Sequence, residues 1–390
     1  MKTELLATFS ALCLMSATAW SADTVKIGFI TTLSGPGGIM GKHHRDGANL
    51  ALERLGGKIG GLPTEIIYGD DQQKPDVGRQ LADSMVKRDK VNFIAGVIFS
   101  NVLLAVYKPI IDSGIILVGA SAGPHEIAGA MCSPDFFAMS WQNDQAPEAM
   151  GKYMSDQKID DVFIMAPNFA AGKDMLAGFK RYYKGKIVAE LYTNVNQPDY
   201  QAELSQIRGA NPKAVFVFYP GGMGIQFVKQ YAQSGLQGKI PLYSAYTQNE
   251  TTLPALGAAA DGNYETGYWG PDVKNTANEE FVAAFRKKYG YLPSDYAAAA
   301  YDSVNLIDSG VKGANGNLSD TKTIAAAMKE GNIKAVRGDF KFNNNNFPIE
   351  NFYLFKVVKD DNGQFVRRNE GVVFPAHADS YASECKMPAP

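Results

Sequence analysis

Residues 115–126, Ile-Ile-Leu-Val-Gly-Ala-Ser-Ala-Gly-Pro-His-Glu, restrict the fold more than any other stretch of the chain. The first four form an apolar run suited to a strand buried on both faces, the pattern of a parallel sheet. The run stops in five small residues, Gly119 to Gly123, which do not obstruct an approaching molecule. In open α/β sheets, ligands bind at the carboxyl ends of strands, where backbone N–H groups and helix N-termini point outward. The stretch therefore suits a floor for a small anion, with Ser121 offering a hydroxyl and Ala122 and Gly123 bare backbone. Two other readings fit the same residues. Gly119-Ala120-Ser121-Ala122-Gly123 matches the G-x-S-x-G nucleophile elbow, and it also fits a close-packed turn with no ligand.

The rest of the chain repeats this strand-then-helix rhythm. Strands are expected at 25–31, 64–68, 91–97 and 115–118, with helices after Gly41, from Pro75 and over 101–111. Proline opens the second helix, where its missing N–H is harmless. After an extended segment at 136–141 the rhythm restarts. Strands are expected at 161–166, 187–193, 214–219 and 241–246, and helices near 171–184, 199–209 and 222–234. A return crossing at 261–270, helices near 277–289, 295–310 and 320–330, and short strands near 351–358 and 365–373 complete the reading. Such alternation predicts an α/β fold with doubly wound parallel sheets. Two αβ blocks of similar length predict two similar lobes.

A length of 390 residues accommodates two domains, and 45% hydrophobic with 20% charged residues is a globular composition. A net charge of −2 with no Lys/Arg stripe gives no suggestion of nucleic-acid binding. Lys2, an apolar segment at 5–19 and small residues at Ala17, Ala19, Ser21 and Ala22 have the layout of a secretory signal peptide, expected over 1–22. No later run reaches the roughly 18–20 apolar residues needed to span a bilayer, so no membrane insertion is expected. Export permits disulfides, and with Cys13 in the leader the remaining pair, Cys132 and Cys385, is expected to be bonded.

The expected strand-end loops differ between the blocks. In the first they are Ser34-Gly35-Pro36-Gly37-Gly38, Phe99-Ser100-Asn101 and Ala120-Ser121-Ala122-Gly123, hydroxyls and bare backbone suited to a carboxylate. In the second they carry Phe169, Tyr219, Gly221 and the Tyr243–Tyr246 pair, suited to an apolar or aromatic body. Phosphate-binding glycine motifs are absent. His43 and His44 are adjacent and cannot share a helix face, so neither a metal nor a cofactor is expected. Asp70-Asp71 reads as a solvated strand end. A hydrolase would need Ser121, an aspartate such as Asp302, and His377. Pro124 follows the elbow where oxyanion donors are needed, and His377 reads as part of a tail, so an enzyme is not expected.

The residues carry a resemblance. Val25-Lys26-Ile27-Gly28 through Leu33-Ser34-Gly35-Pro36, then Gly41 and Asp46-Gly47-Ala48, resemble the opening of the leucine/isoleucine/valine-binding family of periplasmic binding proteins. Asn168 to Asp174 and Ala300-Tyr301-Asp302 resemble later landmarks, and the likeness extends over the mature chain. It implies a type I binding protein, a monomer in the periplasm, that closes two lobes over a small carboxylate and delivers it to an ABC permease. The lobes would be 23–140 plus 271–347 and 141–270 plus 348–390, with hinges near 139–143, 267–271 and 347–350. By position, the resemblance assigns the ligand carboxylate to Ser100, Ser121 and the backbone around Gly123. Met40 and Phe169 fall where members carry aromatics. Tyr246 stands where amino-acid-binding members carry the acid that accepts the ammonium. That departure favours a benzoate- or cinnamate-like acid over an amino acid, with Glu250 and Asp144 as the acids that remain to be placed.

Overall fold

The computed structural model describes residues 24–387; the expected signal peptide lies outside the described residues. The chain begins with β1 (Val25–Thr31), α1 (Gly38–Arg54), β2 (Lys58–Ile59), β3 (Leu62–Asp70), α2 (Pro75–Ser84), β4 (Phe93–Gly96), α3 (Ser100–Asp112), β5 (Ile116–Gly119), the single turn α4 (His125–Ala128) and β6 (Phe136–Ala138). Strands β3, β1, β4, β5 and β6 lie side by side and parallel, with β2 turned back on β3. Strands β4 and β5 are buried along their whole length, which is why they read as unbroken apolar runs.

The second layer follows with α5 (Gln145–Asp156), β7 (Asp161–Pro167), α6 (Ala170–Tyr182), β8 (Lys186–Thr193), α7 (Gln201–Ala210), β9 (Val215–Val217), α8 (Gly222–Gln233), β10 (Leu242–Ala245), α9 (Leu253–Leu256) and β11 (Tyr264–Gly267). Strands β8, β7, β9, β10 and β11 repeat the order of the first sheet, parallel throughout. The chain then returns through α10 (Thr276–Tyr289), α11 (Asp295–Gly313) and α12 (Thr321–Lys329) to the first layer, where α11 packs along α1. Close packing is possible because Gly47 rests on the Ala297 backbone; a Cβ there would come within 2.2 Å of the Ala297 carbonyl oxygen. Strands β12 (Lys341–Phe342), β13 (Pro348–Lys359) and β14 (Phe365–His377) extend the second sheet, with β13 antiparallel to β11 and β14 to β13. The chain is a two-lobed, doubly wound α/β protein.

Three expectations need correction. Helix α5 is absent from the sequence reading; its first seven residues, Gln145 and Glu148 included, are buried despite their polarity, and only Lys152, Tyr153, Ser155 and Asp156 near its end reach the surface. Strand β14 runs on to His377, which ends a strand rather than lying in a loose tail. Ser121, Asp302 and His377 do not meet: Asp302 bonds Arg337, while His377 stacks on Phe374 at 4.1 Å and bonds Glu148. The expected disulfide is present, with Cys132 and Cys385 Cα atoms 5.7 Å apart.

Candidate functional site

Between the two sheets lies a tight cavity of about 20 Å³, room for about one water and far below the size range for small-molecule sites. The first layer contributes Ile98, Phe99 and Ser100 after β4, Ser121 and Ala122 after β5, and Tyr296 from the start of α11. The crossing from β6 to α5 contributes Trp141 and Asn143. Phe169, Ala171, Met175, Phe218, Pro220 and Tyr246 close it from the second layer. Six of these fourteen residues are aromatic and none is charged.

Polarity at the first-layer wall comes from dipoles. Ser100 and Asn101 open the 13-residue helix α3, and their N–H groups have no acceptor among the described residues. The Ser121 N–H is likewise free. Ser100 Oγ accepts from Asn143 Nδ2 at 3.0 Å, keeping its own proton to donate, and Ser121 Oγ makes only a long 3.4 Å bond to the Ile98 carbonyl. Helix α6 begins against the facing wall, at Phe169 and Ala171. Free N–H groups at helix N-termini attract an anion without any cationic side chain.

The aromatic wall is ordered. Trp141 stacks on Tyr246 with centroids 4.1 Å apart and planes 17° from parallel. Phe169 lies 6.1 Å from both Phe99 and Phe218, linking the layers. Backbone strain gathers here: Val97 has φ +63° and Tyr246 φ +50°, values that side-chain-bearing residues seldom adopt. Burial pushes the Tyr246 phenol well above its ordinary range, with Asp295 and Glu350 adding to the effect, so it stays neutral.

Met40, Gly123, Tyr219 and Gly221, expected at the ligand, do not line the cavity. Gly123 N–H donates to Asn143 Oδ1 at 3.1 Å, and a Cβ on Gly123 would meet the Trp141 carbonyl at 2.0 Å. Its role is close approach of the floor to the crossing. Met40 packs against Gly221, where a Cβ would come within 2.8 Å of the methionine methyl. Tyr219 is turned into the second lobe, bonded to Thr193 and stacked on Phe227. Its neighbours Phe218 and Pro220 face the cavity instead, as two-residue alternation requires.

The acids left unplaced are held by the buried Arg367 and by the half-buried Arg181 together with the C-terminal segment. Arg367 holds Glu250 at 2.6 and 3.0 Å and Glu265 at 3.0 Å. Asp144 accepts from Arg181 at 2.8 Å and Tyr381 at 2.9 Å, and burial pushes its carboxyl up to about 6. At the crossings, Arg337 donates to the Met139 and Ser140 carbonyls at 2.6 and 2.8 Å, to Glu350 at 2.8 Å, and lies over Tyr268. His125 bonds Asp174 across the layers at 2.7 Å; Glu126 completes a cluster whose ligand-type atoms lie within 4.8 Å of one another. His43 and His44 are buried and held neutral, their pKa lowered to about 3 by desolvation.

A family model described as periplasmic binding protein matches residues 24–364. The chain is similar to "Leu/Ile/Val-binding protein homolog 6" of Brucella melitensis, 28% identical over 376 residues, covering 93% of this chain and 94% of that one. Among solved structures it is similar to an ABC transporter solute-binding protein from R. palustris in complex with benzoate, with a TM-score of 0.88, 29% identity and coverage of 94% of this chain and 100% of the other. A second, from Rhodopseudomonas palustris in complex with 3,4-dihydroxybenzoic acid, gives 0.86 and 29%, covering 92% and 99%.

Proposed function

The chain belongs to the periplasmic binding protein family, and from that premise we propose that it is the periplasmic substrate-binding component of an ABC importer that closes two lobes over a small aromatic carboxylate, benzoate- or cinnamate-like. One observation carries the reading: the cavity is walled by aromatic rings, has no charged lining residue, and presents free N–H groups and hydroxyls on one side. A carboxylate takes the Ser100 and Ser121 donors while its ring lies among Phe99, Phe169 and Trp141. An α-ammonium would meet no acid in the wall, and burying an unpaired charge is costly. Ligand contacts with both lobes stabilise only the closed arrangement, which gives the permease a signal to read.

Amino-acid binding is the second reading. The similarity to a protein named for leucine, isoleucine and valine favours it, and so does Asp295, whose Oδ2 has no partner behind the wall. A thermal-shift screen of unfolded and refolded mature protein separates the two. Stabilisation by benzoates or cinnamates and none by leucine or valine supports the aromatic acid; the reverse pattern rejects it.

A further inference from the structure

We propose that His125 and Asp174 form a latch between the lobes that positions the Ser100 wall of the cavity, tightens when His125 is protonated, and so ties ligand affinity to pH. The latch concerns closure and holds for either reading of the ligand.

The cavity has room for about one water, so a ring-sized ligand enters only when the lobes part. Bonds that join the lobes outside the cavity form on closure and therefore share in setting affinity. His125 opens the turn α4 just after the floor loop of the first layer, and Asp174 lies on α6 in the second. His125 Nδ1 is 2.7 Å from Asp174 Oδ1, and the His125 backbone N–H donates to Asp174 Oδ2 at 3.3 Å. One carboxylate thus grips both the side chain and the main chain of the facing lobe. Two further bonds reach the cavity. Asn143 Nδ2 donates to Asp174 Oδ2 at 2.9 Å and to Ser100 Oγ at 3.0 Å, and Ser100 lines the cavity. Asn143 Oδ1 accepts the Gly123 N–H, which fixes the orientation of the amide. Asn143 and Asp174 are therefore positioning residues, through which closure of the latch orients the Ser100 hydroxyl.

A carboxylate only accepts, so Nδ1 carries a proton in this bond. A second proton, on Nε2, makes the bond charge-assisted and roughly doubles its strength. The His125 side chain is 43% exposed and exchanges that proton with solvent, whereas its partner is only 5% exposed. Acids face the imidazole from several elements. Glu126, on the same turn, has Oε2 3.4 Å from Nδ1, Asp144 acts from the crossing, and Glu384 lies against the turn beside Gly129. The Tyr381 ring is 5.4 Å away, and the nearby cation Arg181 is taken up by Asp144, Glu148 and Tyr381. Burial pulls the His125 pKa down, but the Asp174 bond, helped by Glu126 and Asp144, outweighs it and raises the pKa above 6.5. The imidazolium's share of closure is thus complete below 6.5 and lost as pH rises through the higher closed-state value. Burial pushes the Asp174 carboxyl up as well, so the latch weakens again in acid.

Calorimetric titration of refolded mature protein with benzoate at about pH 6.5 and about pH 8 tests this, since a carboxylate stays ionised at both. Wild type should bind about threefold or more weakly at the higher pH. His125→Gln, which keeps a neutral donor, should lose that ratio, and so should Asp174→Asn. A wild-type ratio near one, or a ratio retained in full by His125→Gln, overturns the latch. Failure of benzoate to bind counts against the aromatic-acid reading and not against the latch; leucine then serves as the probe, with the same outcomes. Should neither bind, spin labels at Lys74→Cys and Asn194→Cys, exposed positions beside the cross-lobe Asn196–Gln73 bond, decide by electron resonance. Longer distances at the higher pH that His125→Gln abolishes support the latch, and equal distributions at both pH values overturn it.

Discussion

The cavity and the belt of residues around it treat charge in opposite ways. None of the fourteen cavity residues is charged. Just outside it, Arg337 and Arg367 are fully buried and hold Asp302, Glu350, Glu250 and Glu265 between them. A buried ion pair contributes little net stability against an apolar isostere, but each partner makes the other indispensable. The belt therefore fixes geometry: Arg337 ties two of the crossings and lies over a ring of the third. The cavity, left to dipoles and rings, holds no internal salt bridge with which a bound anion would compete.

The largest expected effect breaks the belt. Arg367→Met leaves Glu250 and Glu265 buried without a counter-charge and should cost about 3–5 kcal/mol in urea unfolding. Adding Glu250→Gln and Glu265→Gln should restore most of it; no recovery would mean that the arginine acts by packing on Phe355. Replacing both cysteines by serine should cost about 2–4 kcal/mol, since the bridge closes a loop between residues 253 apart. Affinity should change far less than stability, which keeps this bond on the belt's side of the comparison.

The same contrast governs pH. His44 is folded-neutral with a pKa lowered to about 3 by burial, against an ordinary 6.5. The unfolded chain takes up the proton first as pH falls through 6.5, so the stability His44 provides is complete above that value and lost between 6.5 and about 3. Relative to His44→Gln, wild type should lose up to about 2 kcal/mol by about pH 5. Parallel pH–stability curves for the two proteins would contradict this. The smallest effect belongs to the cavity: Ser121→Ala removes one charge-assisted donor and should weaken carboxylate binding by about 1–2 kcal/mol. Unchanged affinity would put the carboxylate elsewhere.

Strands and helices were legible where periodicity was strong, as in β1 and α10, and where an apolar run ended in small residues, as in β5. Helix α5 was not, because its polar residues Gln145 and Glu148 are buried and only its last turn meets solvent, which blurs the polar face that marks a helix. The cavity was half legible. Loops after buried strands pointed to Phe99, Ser100, Ser121, Ala122, Phe169 and Tyr246, all of which line it. Within a strand end, only side-chain parity separates Phe218 from Tyr219, and a one-residue slip in the assumed strand reverses the choice. Tyr296 left one signal, the Ser294-Asp295 helix start, which says where a helix begins and nothing of what it faces. The partners of Glu250 and Asp144 were beyond reach, since Arg367 and Arg181 lie 117 and 37 residues away.

The most direct test compares two molecules that differ only in an α-ammonium group, 3-phenylpropionate and phenylalanine, by calorimetry on the same refolded protein. An uncharged cavity predicts that 3-phenylpropionate binds and that phenylalanine binds about a hundredfold more weakly or not at all. Phenylalanine binding as tightly as 3-phenylpropionate, or more so, would mean that an acid reaches the ligand after all, and would contradict the account.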